Sequence, residues 1–376
     1  MAANLRIVHC FRSPVGGIFR HVRDLTEAQV AAGHSVGIVC DSTTGGDYEE
    51  RLFGAMKNCL ALGIHRTPMQ RHIGPGDVAA AWRTYKIIKE LRPDVLHGHG
   101  AKGGAYARLF GSLLRVSRFR VARLYSPHGG SLHYDETTAT GKLFFGLERS
   151  MARFTDCLLF VSDYERRTWR RKVGEPSIPN RLVYNGLRAA EFHAVTTAPD
   201  PADFLYIGMM RDLKGPDIFI EALALAANQL GRRPSAVMVG DGDDLPRYHA
   251  QVKRLGLSDD VRFLAPMPAR QAFALAQLIV VPSRAEAMPY IVLEALAAGR
   301  PMIATAVGGI PEIFGEGSPA LIRPDAVQLA DRMKAALEDV AAFRQLMPQT
   351  VELKSRFGAD VMAADIEKTY FAALGR

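Results

Sequence analysis

Short apolar runs alternate with stretches of helical periodicity along most of this chain. An apolar run at residues 5–9 precedes a helix-like segment over 17–32, and a second run follows at 35–40. Strands that alternate with helices in this way are typical of parallel α/β sheets. The same pattern predicts further strands at residues 95–97, 120–125, 157–161 and 181–184.

The alternation stops at residues 194–201, a stretch of Pro, Thr and Ala without periodicity, and restarts at 203–208. Such a break indicates a linker between domains. The second half then predicts strands at 236–240, 261–264, 278–281 and 301–305, and an amphipathic helix at 361–374.

This pattern predicts an α/β protein of two doubly wound, Rossmann-like domains that face a central cleft. Domains of this kind bind ligands beyond the carboxyl ends of their strands. We expect four segments, which are an N-terminal domain (1–190), a linker (191–202), a C-terminal domain (203–357) and a C-terminal helix that packs back on the N-terminal domain (358–376).

Composition supports a cytoplasmic, globular protein. The 376 residues are 48% hydrophobic and 23% charged, which excludes wholesale disorder. Four scattered cysteines without a metal or disulfide spacing indicate reduced thiols. We find no apolar signal core at the start and no apolar run of about 18 residues, the length that spans a bilayer.

Charge is divided unevenly between the two halves. Residues 1–190 carry 28 Lys and Arg against 16 Asp and Glu, whereas the remainder carries 19 against 23. Arginines interleaved with apolar residues in the first half favour contact with an anionic membrane surface, with a merely solvated helix as the alternative. These arginines are Arg108, Arg115, Arg118, Arg120 and Arg123. No nucleic-acid-binding motif accompanies them.

Two carboxylates, Glu286 and Glu294, lie eight positions apart across a loop and a helix start. Carboxylates only accept hydrogen bonds, so the pair suits a ligand with hydroxyls at two places, such as the sugar and the ribose of a nucleotide sugar. In the same half, Arg211 and Lys214 follow the strand that ends at Gly208. They could clamp a diphosphate, and a solvated basic loop is the alternative.

Glycines and histidines lie at or just after the ends of several predicted strands in the first half. Gly16 and Gly17 stand between a strand and a helix, where backbone N–H groups could hold a phosphate or border an acceptor. His128 ends a strand and is followed by two glycines, which leave room for a ligand. We therefore place His128 in the site.

Two histidines and two aspartates are metal ligands by residue type. His97 and His99 have no Cys or carboxylate nearby in the sequence to complete a site, and we interpret them as strand-end residues of the cleft. Asp241 and Asp243 belong to a Gly-Asp-Gly-Asp loop that fails as a dinucleotide motif and is better explained as a solvated loop. We assign no metal.

Taken in order, these features resemble a retaining glycosyltransferase of family 4, the group 1 type, with the two-domain GT-B fold. The resemblance runs nearly end to end. The matching motifs are Gly16-Gly17, Gly33-His34-Ser35-Val36, Asp94-Val95-Leu96-His97, His128-Gly129, Val161-Ser162, Tyr184-Asn185-Gly186, Lys214-Gly215, Gly240-Asp241-Gly242, Glu286 to Glu294, and Gly308-Gly309-Ile310-Pro311-Glu312.

The resemblance implies roles for individual residues. Glu286 would lie beside the transferred sugar, Glu294 would bind the ribose, and Arg211 with Lys214 would neutralise the diphosphate. His128 would line the reaction centre. The loop glycines and the backbone near the second carboxylate would contact phosphate, sugar or acceptor through Gly16, Gly17, Gly208, Tyr290, Ile291 and Val292.

The chain departs from the family pattern at two positions. Met209 stands where the family usually has Arg, so Arg211 would have to supply that charge. The loop that commonly reads Glu-Gly-Phe-Gly reads Glu-Ala-Met-Pro here, and Pro289 removes a backbone donor. We expect both changes to bear on donor choice.

The resemblance implies an enzyme that moves a hexose from a UDP- or GDP-sugar to a glycan or lipid-linked acceptor and forms an α-linkage without a metal or further cofactor. Bacterial-type polysaccharide, lipopolysaccharide or glycolipid assembly would use such a reaction. The expected location is cytoplasmic, with peripheral attachment to the inner membrane face as an alternative. Two other functions stay open: a nucleotide-sugar epimerase or hydrolase of the same fold, and a non-catalytic nucleotide-sugar-binding protein.

Overall fold

A computed structural model describes residues 4–70, 76–116 and 120–375. Within these ranges the strands and helices alternate, as the apolar pattern predicts. The strands are β1 (Arg6–Phe11), β2 (Ser35–Asp41), β3 (Ile64–Thr67), β4 (Val95–His99), β5 (Ala122–Ser126), β6 (Cys157–Phe160), β7 (Asn180–Leu182), β8 (Ala202–Ile207), β9 (Ala236–Val239), β10 (Val261–Leu264), β11 (Ala276–Val281), β12 (Met302–Thr305) and β13 (Leu321–Ile322).

Helices connect almost all of these strands. They are α1 (Gly16–Ala31), α2 (Asp47–Met56), α3 (Gly76–Leu91), α4 (Gly100–Val116), α5 (Ala139–Met151), α6 (Asp163–Lys172), α7 (Pro216–Leu230), α8 (Leu245–Arg254), α9 (Ala269–Phe273), α10 (Tyr290–Ala297), α11 (Ile310–Phe314), α12 (Ala326–Glu338), α13 (Val340–Arg344), α14 (Thr350–Phe357) and α15 (Ala359–Leu374). Short 3-10 helices lie at Gly130–His133, Ala152–Phe154, Ala189–Phe192 and Asp212–Lys214.

The N-terminal unit is built on a seven-stranded parallel sheet in the order β3-β2-β1-β4-β5-β6-β7. Neighbouring residues of β1 point to opposite faces, so Ile7 and Val8 enter different apolar clusters. Helices therefore cover both faces of the sheet. The strand order reverses between β1 and β4, which makes their carboxyl ends the expected ligand position.

The C-terminal unit has a six-stranded parallel sheet in the order β10-β9-β8-β11-β12-β13. Here the reversal lies between β8 and β11, and the loops that follow these two strands carry the predicted cations and the first predicted carboxylate. The prediction of two doubly wound α/β domains is confirmed. The predictions missed the short strands β3 and β13, whose few residues carry little periodic signal.

The chain divides into the units Met1–Gly186 with Ala359–Arg376, and Leu187–Gly358. Most of the segment interpreted as a linker is attached to the second unit, because Val195 and Ala198 donate backbone hydrogen bonds to Ala298 and Ala274. The division therefore falls at Gly186, a few residues before the linker that we placed at 191–202.

The last helix, α15, belongs to the N-terminal unit. It places Met362, Ile366 and Tyr370 in the apolar cluster that also contains Ile7 and Val22. No helix in the described ranges is both long and apolar enough to cross a membrane.

Candidate active site

Five histidines gather at the carboxyl ends of β1 and β4. Register pairs His9 with His97, so the two imidazoles lie side by side on one face of the sheet. His99 follows two residues later on that face, and His21 approaches from α1. These four side chains are buried, whereas His128 after β5 is half-buried.

Hydrogen bonds join three of these imidazoles in a row. His9 Nε2 lies 2.8 Å from Gln29 Oε1, and His9 Nδ1 lies 3.0 Å from His99 Nε2. The row continues from His99 Nδ1 to His128 Nε2, at 3.1 Å. It therefore runs from a glutamine of α1 to the one histidine of the cluster that is not fully buried.

The C-terminal helix completes the cluster. Tyr370 of α15 places its hydroxyl 3.3 Å from Gln29 Nε2 and 2.8 Å from His97 Nδ1. The other nitrogen of His97 lies 2.9 Å from Ser126 Oγ. The helix at the end of the chain thus contacts the site at the start of it.

The loop that carries His128 has an unusual backbone. His128 adopts φ +50° and Gly129 φ +78°, conformations that cost a non-glycine residue energy unless its surroundings hold it. The Glu165 carboxylate holds this loop by accepting the Gly129 N–H at 2.5 Å and the Val161 N–H at 3.0 Å. The position of His128 is therefore imposed by its neighbours.

Burial keeps the imidazoles neutral. Desolvation disfavours a charged imidazole, and it lowers the pKa of His9 and of His21 to about 4. It also lowers the pKa values of His97, His99 and His128 well below the usual value. Neutral imidazoles both donate and accept hydrogen bonds, so the cluster suits hydroxyl groups better than a phosphate.

Two sets of three histidines also bring their nitrogens within 4.8 Å of one another: His9 with His97 and His99, and His21 with His99 and His128. Sequence reasoning considered His97 and His99 as ligands but missed His9 and His21. The overlooked signal was a histidine inside an otherwise apolar strand. That no metal binds here stays a prediction, and the row of hydrogen bonds already uses the nitrogens of His9 and His99.

Gly16 opens α1 just after β1, close in sequence to the histidine face. Its φ of +68° is the left-handed conformation, and the space where a Cβ would stand is open. Together with Gly17 it forms the first turn of α1. This placement is compatible with the predicted contact to phosphate or acceptor.

The C-terminal unit brings together residues that the sequence predicted separately. Lys214 Nζ lies 2.6 Å from Glu286 Oε1, although 72 residues separate them in the chain. Ser283 Oγ donates to the same carboxylate oxygen at 2.8 Å. Glu286 is buried and Lys214 half-buried, so the pair is shielded from water.

Glycines let the loops around this ion pair approach closely. A Cβ on Gly215 would stand 2.1 Å from the Pro282 carbonyl oxygen, and one on Gly308 would stand 1.7 Å from the Glu286 carbonyl oxygen. Arg284 pairs with the Asp217 carboxylate at 2.5 Å and so pins the same loops together. The geometry of Lys214 and Glu286 therefore depends on three packed loops.

Arg211 lies three residues before Lys214, exposed and without an ion pair to any residue in the described ranges. Met209 next to it is also exposed, and its carbonyl accepts a 2.9 Å hydrogen bond from the Tyr206 hydroxyl. Gly208, the predicted donor-binding glycine, directly follows β8 and is half-buried. An exposed cation thus lies on the same loop as Lys214 despite the methionine at 209.

Helix α10 begins directly after the Glu286 loop. Pro289 is its N-cap residue, and its carbonyl accepts from Val292 N–H at 3.3 Å and from Leu293 N–H at 3.4 Å. Of the three predicted backbone donors, Val292 is therefore engaged inside the helix, whereas Tyr290 and Ile291 form its first two positions. Glu294 is half-buried one turn further on.

The Gly240-Asp241-Gly242 loop serves packing. A Cβ on Gly240 would stand 1.9 Å from the Gly208 carbonyl oxygen, and one on Gly242 would stand 2.5 Å from that of Met210. Asp241 accepts a hydrogen bond from the Gly242 N–H. These glycines thus hold the loop that carries Arg211.

Three of the five arginines predicted to face a membrane form ion pairs with carboxylates of the protein. Arg108 is buried and pairs with Glu148 at 2.7 Å, while Arg115 and Arg123 share Asp156. Arg120 is exposed, and Arg118 lies outside the described residues. Arg108 and Arg123 are buried, so the prediction of contact with a membrane surface, and its alternative of a solvated helix face, are both wrong for these two residues.

Comparisons with known proteins match both halves of the chain. The family model described as Glycosyltransferase Family 4 matches residues 15–191, and the model described as Glycosyl transferases group 1 matches residues 201–339. A D-inositol 3-phosphate glycosyltransferase of Kribbella flavida is 28% identical over 311 residues, 74% of this chain and 71% of that protein. A glycogen synthase of Mycobacterium tuberculosis is 25% identical over 383 residues, 96% of this chain and 92% of that protein.

Solved structures share the fold. Anabaena Alr3699/HepE in complex with UDP-glucose superimposes with a TM-score of 0.79 at 18% identity, covering 97% of this chain and 99% of that one. WaaG, a glycosyltransferase involved in lipopolysaccharide biosynthesis, gives a TM-score of 0.68 at 17% identity and covers 98% and 100%.

Proposed function

Because the chain belongs to the group 1 glycosyltransferases of glycosyltransferase family 4, we propose that it moves a hexose from a nucleoside diphosphate sugar to a glycan or lipid-linked acceptor, with retention and an α-linkage. The observation that carries this proposal is the Lys214–Glu286 ion pair at the carboxyl ends of β8 and β11. It stands where a doubly wound sheet binds ligands, and it is followed by the N-terminus of α10.

A diphosphate suits this end of the C-terminal unit. The N-terminus of a helix carries partial positive charge and backbone donors, which favour an anion. Lys214 and the exposed Arg211 add full charges from the loop after β8. We assign the diphosphate to these groups and the ribose hydroxyls to Glu294.

The proposed transfer replaces one bond at C1 of the sugar with another. The bond between C1 of the sugar and the β-phosphate oxygen breaks, and the phosphate keeps the electron pair. The acceptor oxygen bonds to C1 on the same face and passes its proton to a phosphate oxygen. Lys214 and Arg211 stabilise the charge that grows on the phosphate, while Glu286 orients the sugar.

Relatives support a nucleotide sugar as donor but differ in acceptor. HepE was crystallised with UDP-glucose, and the related proteins include an inositol-phosphate glycosyltransferase and a glycogen synthase. We therefore propose a UDP- or GDP-hexose as donor. Lys214 and Arg211 would supply the positive charge beside the diphosphate that a divalent metal could otherwise supply. We therefore expect full activity in excess EDTA.

A thermal-shift screen followed by a transfer assay tests the proposal. UDP, GDP and their hexose conjugates are compared first, because a ligand that binds only the folded state raises its stability. Release of nucleoside diphosphate is then measured with and without glycan acceptors, and the anomeric configuration of the product is determined by NMR. Turnover that needs no acceptor would instead indicate an epimerase or hydrolase, and binding without turnover a non-catalytic protein.

Peripheral membrane contact is the second part of the proposal. Leu109, Leu113 and Val116 are exposed on α4 at spacings of four and three residues, with 43%, 48% and 82% of their surface accessible. Arg115 and Arg120 lie beside this apolar stripe in sequence. Co-sedimentation with anionic vesicles, lost on Leu113→Glu, is expected, and equal sedimentation of both forms would refute it.

A further inference from the structure

Each hydrogen bond in the row of imidazoles from Gln29 to His128 has a defined donor and a defined acceptor. A carbonyl oxygen can only accept, so Gln29 Oε1 requires the proton of His9 on Nε2. His9 is neutral because burial lowers its pKa to about 4, and its Nδ1 must therefore accept. The same reasoning applies at each following contact.

His99 must donate from Nε2 to His9 Nδ1, because that nitrogen carries only a lone pair. Neutral His99 then accepts at Nδ1, and His128 donates to it from Nε2. One nitrogen is left at the end of the row. His128 Nδ1 carries a lone pair and has no hydrogen-bond partner among residues 4–70, 76–116 and 120–375.

We infer that Gln29, His9 and His99 are positioning residues that hold the proton of His128 on Nε2, so that His128 Nδ1 accepts a hydrogen bond from a sugar hydroxyl. The hydroxyl rests on the proposed function, whereas the position of the proton is a property of the protein alone. His128 is the half-buried end of a row whose other members are buried.

The direction of the row originates at Gln29. The structure turns the oxygen of its amide toward His9 and the nitrogen toward Tyr370, whose hydroxyl accepts from Gln29 Nε2 at 3.3 Å. The same hydroxyl then donates to His97 Nδ1, and His97 donates from Nε2 to Ser126 Oγ. With the Gln29 amide in this orientation, these proton positions satisfy every contact in the row.

The first test is NMR of the full-length protein labelled with 15N-histidine, which distinguishes a protonated ring nitrogen from a bare one. The His128 signals are assigned by their loss in His128→Gln. We expect a proton on Nε2 and a bare Nδ1 at pH 7.5. A proton on Nδ1 of His128 would overturn the inference, whatever the protein catalyses.

The second test removes the acceptor at the start of the row. In Gln29→Met the His9 Nε2–H would be buried without a partner, which is unfavourable for a polar group. Reversal of the row avoids this cost by moving each proton to Nδ1. We expect His128 to show a protonated Nδ1, kcat to fall about tenfold, and KM for the donor to stay unchanged.

Thr84→Val is the matched control, because it deletes a buried side-chain hydrogen bond to Thr67 in the same unit and outside the histidine cluster. It should leave the His128 tautomer and kcat as in the wild type. If Gln29→Met behaves like Thr84→Val, the inference fails. If Gln29→Met does not fold, the wild-type NMR result decides alone.

Two further results would separate the failure of this inference from the failure of the proposed function. A stoichiometric transition metal in the purified protein, measured by elemental analysis, would place an ion on these nitrogens and overturn the inference. Absence of glycosyl transfer in the wild type would refute the proposed function, while the tautomer of His128 would still be measured.

Discussion

Both units place polar residues at the point where their strand order reverses. These residues are neutral in the N-terminal unit and charged in the C-terminal unit. In the N-terminal unit, the ends of β1 and β4 hold buried imidazoles that burial keeps uncharged. In the C-terminal unit, the loops after β8 and β11 hold the Lys214–Glu286 ion pair, with Arg211 exposed nearby. One sheet end suits neutral hydroxyls, and the other suits an anion.

The difference follows from how each group tolerates burial. An isolated charge buried in a protein costs several kcal/mol, so it must either be paired or become neutral. Histidine can become neutral at physiological pH, and the N-terminal cluster uses this property. Lysine stays charged unless it is strongly desolvated, and Lys214 has Glu286 at 2.6 Å.

The largest expected effect is on the stability of the N-terminal unit at acid pH. Histidines with a lowered folded-state pKa bind protons more readily when unfolded, so stability is full above about pH 6.5 and is lost as the pH falls toward 4. Each buried histidine should lose about 1 kcal/mol between pH 7 and 5.5, or about 4 kcal/mol for four.

Urea unfolding followed by tryptophan fluorescence measures this loss, because both tryptophans, Trp82 and Trp169, belong to the N-terminal unit. His97→Gln should reduce the pH dependence by about 1 kcal/mol. His249→Gln, at an exposed position of α8, should leave it unchanged. Equal pH dependence in all three proteins would show that the cluster is already charged or hydrated near neutral pH.

Next in size is the effect of removing the cation of the C-terminal site. Lys214→Met should lower kcat by about 10²–10³, the loss typical of one electrostatic contact to a transition state. Initial rates at saturating donor measure it. Lys334→Met, at a half-buried lysine of α12, is the control. A kcat within threefold of the wild type would limit Lys214 to pairing with Glu286.

Lys214→Met also leaves the buried Glu286 without its partner, so stability must be measured in parallel. Lys214→Arg keeps the charge and should retain the melting temperature better than Lys214→Met. A rate loss in Lys214→Met at an unchanged melting temperature would separate the electrostatic role from a structural one.

The sequence predicted the charged site better than the neutral one. Lys214 and Glu286 stand in short motifs next to predicted strands, so the sequence identified both as candidates, and the structure brings them together as an ion pair. His9 and His21 lie in a strand and a helix that read as ordinary core elements. Only the register of β1 with β4 and the approach of α1 bring them together.

Long-range contacts explain the remaining differences. Tyr370 reaches Gln29 from 341 positions away, and no periodic pattern could show this contact. Arg108 looked like a surface cation because its neighbours are basic, but Glu148 lies 2.7 Å away in the fold. Strand and helix alternation depends on local patterns and was therefore predictable, whereas side-chain pairing was not.

A smaller effect is expected from the second carboxylate. Glu294→Ala should weaken binding of the free nucleoside diphosphate about tenfold, because hydrogen bonds to a charged group contribute about 1.5–3 kcal/mol. Isothermal titration calorimetry with UDP and GDP measures it. Glu221→Ala, at an exposed position of α7, is the matched control. Unchanged affinity would remove the ribose role and leave the anion site to the cations alone.

The smallest effect should come from Pro289, the residue at which the loop departs most from the family pattern. Its φ of −76° is close to what a proline ring imposes, so the ring causes no strain at the N-cap. Pro289→Ala restores the missing N–H, yet that group would stand outside the first turn, whose donors begin at Tyr290. We expect donor affinity within threefold of the wild type and a stability loss of about 0.4–1 kcal/mol from added freedom in the unfolded chain.

Pro246→Ala, at the start of α8, gives the same backbone change away from the site and should cost similar stability. A gain in affinity of tenfold or more in Pro289→Ala alone would show that the anion site lacks one donor in the wild type. The two units would then differ in a further respect, because the histidine row satisfies each of its contacts, whereas the C-terminal loop would have lost a phosphate contact to proline.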